Sequence, residues 1–348
     1  MSRRKRLASL LNQTGVVRAA LALRATSPTQ WLTVLTYHRF PDPSGQELFD
    51  DEVIDASPEM FERQIACLMR HFTLVGVDEL CAYAAGEGLP PNAIAITFDD
   101  GYLDCYTRVL PILLRHDAKA MFFVSTSYLT ERRLSWWDRV SYVLKRTALK
   151  KIRLEFPTHL ELDLTDRHTA IQRTLRVVKT HPALDVERFL VGLANAAEVH
   201  WSPALERSFA DRLLMTWDHA RALRAAGMDV ESHTRTHPVL QTLMPGELRA
   251  ELAGSRDDLQ RELGVAPRAL AYPVGNPLVS TSPIRRALRE TGYQIGLSNC
   301  TGANPLNQPV DRYNIRRQSV GMSLSEDYLL ALLALPALAP KPFWDSPA

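Results

Sequence analysis

Two pairs of side chains in this chain have the types and spacing to do chemistry, and each pair falls where a short apolar run ends. Thr97-Phe98-Asp99-Asp100-Gly101 closes the run 93–98, and Ser232-His233-Thr234-Arg235-Thr236-His237-Pro238 follows the run 228–231. Neighbours on a regular strand point to opposite faces. Asp99 and Asp100 can therefore address one place only where the strand stops, and the glycine after them allows the sharp turn that requires. An isolated Asp-Asp-Gly also reads as a helix N-cap with a solvated neighbour. His233 and His237, four residues apart, share one face of a helical turn and come within reach of one ion. Alone such a pair is more often two unrelated histidines. With a carboxylate it supplies three protein ligands and leaves coordination positions open for water and substrate. On spacing alone the third ligand is either Asp99 or Asp100.

The elements that must position these groups alternate between strand-like and helix-like runs. Strands are expected at 33–37, 93–98, 120–124, 228–231, 269–272 and 294–297, and helices between them, among them 77–85, 104–116, 216–226, 246–263 and 283–291. Ser57-Pro58 supplies an N-cap and a first-turn proline for a further helix carrying Phe61, Ile65, Leu68 and Phe72 at helical spacing. Repeated βα units with short loops imply a mainly parallel sheet, either open and doubly wound or closed into a barrel. In both, ligands sit at the carboxyl ends of the strands. His38 and the turn Tyr272-Pro273-Val274-Gly275 stand at two more of those ends. Residues 136–217 break the alternation with charge-rich, mostly helical sequence and one strand-like piece at 151–156, which reads as an insertion.

The motifs TFDDGY at 97–102, SHTRTHP at 232–238 and AYPVG at 271–275 resemble, in this order, those of the polysaccharide deacetylases (NodB-type, carbohydrate esterase family 4), over about residues 33–320. The resemblance implies an α/β fold, a distorted (β/α)7 barrel with a mainly helical insertion, and metal-dependent removal of acetyl groups from sugars. By the same resemblance Asp100, His233 and His237 are the metal ligands and Asp99 is the general base. Tyr272, Pro273 and Val274 form the loop whose backbone N–H, from Val274 or its neighbour, steadies the oxyanion. Many members carry an arginine in the third motif, but Ala271-Tyr272-Pro273 has none, and Arg317 is the expected replacement. A late leucine-x-histidine motif for the general acid is also missing. Exopolysaccharide-associated relatives look circularly rearranged, with that histidine on the first strand, and Thr36-Tyr37-His38 resembles their version. His38 is then the expected acid, although a strand-end histidine that merely bonds its loop reads as well from the residue alone. Trp137, with Trp136, is expected either to stack on sugar rings or to pack the insertion.

The chemistry expected is hydrolysis of N-acetyl, or else O-acetyl, groups of a surface polysaccharide or its precursor. Zinc is the expected ion on ligand type, and Co2+, Ni2+, Mn2+ or Fe2+ also suit two imidazoles and a carboxylate. Two other readings remain open: an amide hydrolase acting on a small nitrogenous compound, and a non-catalytic carbohydrate-binding protein. A glycosidase is set aside, because its two carboxyls must flank a bond at ~5–9.5 Å and these are adjacent residues beside a histidine pair.

Composition agrees with a folded enzyme of one or two domains. The 348 residues are 46% hydrophobic and 23% charged, which excludes disordered, collagenous and repeat classes. A formal charge of +2 gives no reason to expect a nucleic-acid partner. Cys67, Cys81, Cys105 and Cys300 form no Cys-x-x-Cys pair, so reduced thiols are expected. Residues 1–30 read as one basic amphipathic helix ending at Ser27-Pro28, 31–322 as the catalytic domain and 323–348 as an apolar tail, with 328–339 its most apolar part. No export signal or transmembrane span is expected. The location expected is therefore cytoplasmic, with peripheral contact at the inner membrane surface through the basic helix.

Overall fold

The computed structural model describes residues 3–26, 31–41, 48–279, 282–322 and 324–335. Six parallel strands lie side by side in chain order: β1 (Trp31–Tyr37), β2 (Ala93–Phe98), β3 (Met121–Val124), β4 (Asp229–Ser232), β5 (Ala269–Ala271) and β6 (Ile295–Ser298). The register runs Tyr37 to Phe98, Thr97 to Met121, Val124 to Ser232, Ser232 to Leu270 and Ala271 to Leu297. β2 is buried along its whole length, as a strand covered on both faces must be.

A seventh strand, absent from the sequence expectation, closes the barrel. β7 consists of Ile315–Arg316, parallel to β6, and Gln318–Ser319, parallel to β1. One five-residue stretch thus bonds both edges of the sheet, with Arg317 at the changeover. Two dipeptides carry too little alternation to be read from sequence. The result is the expected α/β barrel of (β/α)7 type.

Alternation then aims the site. Val34, Ala95, Met121, Phe123, Ala269, Ala271, Leu297 and Ile315 pack together on one face of the strands and fill the barrel. Stepping by two from that set leads to Thr36 and His38 on β1, Thr97 and Asp99 on β2, and Arg317 on β7. Outside, the helix Pro58–His71 starts as expected, with Ser57 accepting the Met60 N–H, and buries Phe61, Ile65 and Leu68 against the strands. Between β3 and β4 the chain forms the helices Trp136–Arg146, Arg167–Thr180, Val186–Ala196 and Pro203–Leu213 and a hairpin of Lys151–Leu154 with Leu160–Asp163.

The N-terminus corrects the sequence expectation. The first thirty residues do not make one helix. Arg3–Gln13 and Val16–Thr26 are separated at Gly15, whose φ of +77° suits glycine. Within the expected apolar tail lies the helix Glu326–Ala334, whose residues 329–334 are buried against the N-terminal helices and the barrel. Ala8, Val17 and Leu21 are buried there too. Arg24 is 2% exposed and donates to the carbonyls of Leu333, Trp31 and Ala93, joining these helices to the starts of β1 and β2. Ser27-Pro28 and residues 336–339 lie outside the described residues. No helix among those described is long and apolar enough to cross a membrane. All four cysteines are free.

Candidate functional site

At the carboxyl end of the barrel, Asp100 Oδ1 lies 3.3 Å from Nε2 of His233 and 3.3 Å from Nε2 of His237. The ligand-type atoms of the three lie within 4.8 Å of one another, and all three residues are buried. Asp100 Oδ1 has no hydrogen-bond donor. A buried carboxylate oxygen without a partner is costly, and two imidazole nitrogens facing it are the donor set of a divalent ion. The residues therefore fit a metal. His233 is oriented for this by its other nitrogen, whose N–H donates to the Ala271 carbonyl at 2.8 Å and leaves Nε2 free to ligate. Burial lowers the His237 pKa, with Asp100 opposing, which favours the neutral form that ligates.

Asp99 is engaged differently. Arg317, 0% exposed, grips it in a two-point fork, Nη1 to Oδ1 at 2.8 Å and Nη2 to Oδ2 at 2.7 Å. Burial by itself raises the Asp99 pKa, but Arg317, with His233 and His38, overrides it and keeps the group ionised below the usual carboxylate range. Its Oδ2 lies 3.9 Å from His233 Nε2. An ionised carboxylate beside the ion site, held by a guanidinium rather than by the ion, is placed to take a proton from water.

His38 follows Tyr37 where Asp99 follows Phe98, and those two are paired, so register sets the imidazole next to the acid pair. Its Nδ1 lies 2.9 Å from Oδ2 of Asp55, and its side chain is 20% exposed. Burial alone lowers the His38 pKa. The Asp55 carboxylate, by charge and hydrogen bond, with Asp100 and Asp99 behind it, raises it to about 9. The pairing with Asp55 thus favours the protonated imidazole at neutral pH. Asp55 was not found by sequence reasoning: it precedes a helix cap, 17 positions from its partner, and no local pattern links the two.

The loop carrying both histidines is strained and clamped. Asp100, Thr234, His237 and Val274 all have φ between 56° and 73°, a region that side-chain-bearing residues avoid. Glu251, also missed from sequence, accepts the N–H groups of Arg235 and Thr236 and the Thr236 hydroxyl. Thr126 and Ser127 N–H groups hold the carbonyls of Thr234 and Arg235.

The remaining expectations are partly redirected. Trp137 is 4% exposed, 4.3 Å from the His237 ring, and donates to the Tyr102 hydroxyl, while Trp136 donates to the His237 carbonyl. An open stacking face for sugars is therefore not what they present. They pack the insertion against His237, because two adjacent indoles at a helix start bury most area there. Tyr272 points away from the barrel interior, its hydroxyl donating to the Tyr313 carbonyl. Pro273 is buried, and only Val274, partly exposed at φ 63°, reaches the surface in that turn. Gly275 is held there by crowding, since a Cβ would lie 2.4 Å from that of Asn299.

Comparison with known proteins identifies the family. The polysaccharide deacetylase family model matches residues 86–296. YxkH of Bacillus subtilis (strain 168), named for the same family, is 28% identical over 117 residues, 34% of this chain and 41% of that protein. The poly-beta-1,6-N-acetyl-D-glucosamine N-deacetylase of Escherichia coli (strain K12) is 29% identical over 96 residues, 28% of this chain and 14% of that protein. The chain thus matches less than half the length of either curated relative. Among solved structures, the Streptococcus pyogenes deacetylase PplD in complex with acetate superposes with a TM-score of 0.57 at 17% identity, over 90% of this chain and 100% of that one. IcaB from Ammonifex degensii gives 0.52 at 20% identity, over 87% and 97%. These two share the fold. With the family model spanning more than half of its length, the chain belongs to the polysaccharide deacetylase family.

Proposed function

We propose that this chain hydrolyses N-acetyl groups on amino-sugar residues of a surface polysaccharide or its precursor, using a divalent ion, zinc by preference of the donor set, held by Asp100, His233 and His237. The observation that carries the reading is the division of labour between two adjacent acids: Asp100 faces the imidazoles with an oxygen that lacks a donor, and Asp99 faces Arg317. What an ion there supplies is Lewis acidity, toward the acyl oxygen and toward water. Asp99, ionised and fixed by the fork, accepts the proton of the attacking water. His38, protonated through Asp55, delivers a proton to the departing amine, without which the tetrahedral species returns to amide. The backbone N–H of Val274 is the donor for the oxyanion. The curated relative named for N-deacetylation of poly-beta-1,6-N-acetyl-D-glucosamine supports the choice of N-acetyl over O-acetyl.

The test is acetate release from an N-acetylglucosamine oligomer by the metal-loaded chain, the chelated chain, Asp99→Asn and His237→Ala. Release that needs the ion and is lost in both variants supports the reading. Stoichiometric metal binding without release from any acetylated oligomer refutes it in favour of an amide hydrolase on a smaller compound, and glycan binding without metal binding refutes it in favour of a binding protein.

A further inference from the structure

We propose that the outward face of the two N-terminal helices docks on an anionic lipid surface. The first acidic residue of the chain is Asp42, whereas Arg3, Arg4, Lys5, Arg6, Arg18 and Arg24 all precede it. Of these Arg24 is turned inward as the latch to the barrel. Ala8, Val17 and Leu21 take up the inner side of the helices, yet Leu7, Leu10, Val16 and Leu23 are 45%, 56%, 44% and 68% exposed. Four of the eleven exposed large apolar side chains among the described residues thus crowd into positions 7–23. Leu7 and Leu10 are three apart and Val16 and Leu23 seven apart, so each pair lies on one face of its helix. Arg6 is exposed beside Leu7 and Leu10, and Arg18 is exposed on the flank that faces Glu326 and Asp327.

Exposed apolar side chains on two helices whose sequence carries five further basic residues and no acid are what the boundary between acyl chains and anionic headgroups takes up. Of the acids that start the C-terminal helix, Glu326 pairs with Arg63, and Asp327 accepts from Asn12 on the inner flank of the first helix. A second copy of the chain would bring an identical cationic face against this one, which like-charge repulsion opposes. Arg24 joins the helices to the starts of β1 and β2, the end of the barrel away from the acids and histidines, so docking leaves the site open to a polymer in solution.

The full chain is mixed with vesicles of phosphatidylcholine alone and of phosphatidylcholine containing about one-third phosphatidylglycerol, and sedimented. Binding is expected to the anionic vesicles only. It should weaken as salt is raised and the Debye length shrinks from ~10 Å at 0.1 M to ~3 Å at 1 M. Leu10→Glu with Leu23→Glu, both exposed and so compatible with the fold by circular dichroism, is expected to lower the partition constant roughly ten-fold or more. Absence of binding, equal binding to neutral and anionic vesicles, or undiminished binding of the double variant each overturns the proposal. So does a wild-type dimer in light scattering that the double variant abolishes, because the face would then be a self-association surface.

Discussion

Replacing Asp55 by Asn isolates the charge on which the proposed acid role of His38 rests. The Asn carbonyl can still accept the His38 backbone N–H that Asp55 Oδ2 accepts, so the fold is expected to survive. What is lost is the negative charge 2.9 Å from Nδ1. With Asp55 the His38 pKa stands at about 9, so at pH 8 about nine-tenths of the imidazole carries its proton. Without it, burial remains as the lowering influence and only Asp100 and Asp99 oppose it. If the pKa falls to ~7, still above the ordinary ~6.5, the protonated fraction at pH 8 drops to about a tenth, a loss of roughly ten-fold. At pH 6 the two proteins should differ by less than about two-fold. The assays are the pH profile of acetate release and a histidine NMR titration of the metal-free chain. The alkaline limb should move down by more than one pH unit, together with the His38 resonance. An unmoved limb refutes the role of His38 as the acid. An unmoved resonance refutes the Asp55 pairing itself.

Arg317→Met leaves the buried Asp99 carboxylate without its fork and is expected to cost about 3–5 kcal/mol in urea unfolding at pH 7. The folded pKa of Asp99 is depressed, so its contribution is present above the unfolded value near ~3.9 and lost as pH falls through the lower folded one. The gap between variant and wild type should therefore close in acid, and a gap independent of pH refutes the pairing. Glu251→Ala frees the loop between His233 and His237 and, on the proposed metal site, should weaken zinc binding ~10–100-fold with circular dichroism unchanged, Glu251→Gln recovering part of it; unchanged titrations would count against the clamp. Deleting residues 1–26 strips Val17 and Leu21 from the core, about 3–6 kcal/mol at ~1.5–3 kcal/mol per buried side chain, against a net stability of ~5–15 kcal/mol. The truncated chain should be insoluble or lower in Tm by many degrees, and a deletion that leaves Tm unchanged refutes the packing of these helices.

The readability of each part tracks how locally it is encoded. β2 was legible because six consecutive buried residues between turn residues have few other readings, and the Ser57-Pro58 cap because one side chain makes it. The two acids after β2 and the histidines after β4 were legible because a strand end is visible in the residues that follow it. β7 was not, since its two dipeptides become strand only when β6 and β1 are already in place to pair with them. The burial of residues 329–334 was equally hidden: an apolar helix reads the same against a bilayer as against a protein core.

The amino-acid sequence by itself determined the alternation of strands and helices, the places where they end, and which chemical groups stand there. These are consequences of side-chain type and spacing along a few neighbouring residues. Only the tertiary structure decided which acid faces the imidazoles and which faces Arg317, that Asp55 pairs with His38, and that Trp137 packs against His237. Each of those pairs residues from 17 to 218 positions apart in the chain, or settles which way one side chain points at a turn. Such choices follow from sheet register and barrel closure, which no local stretch of sequence contains.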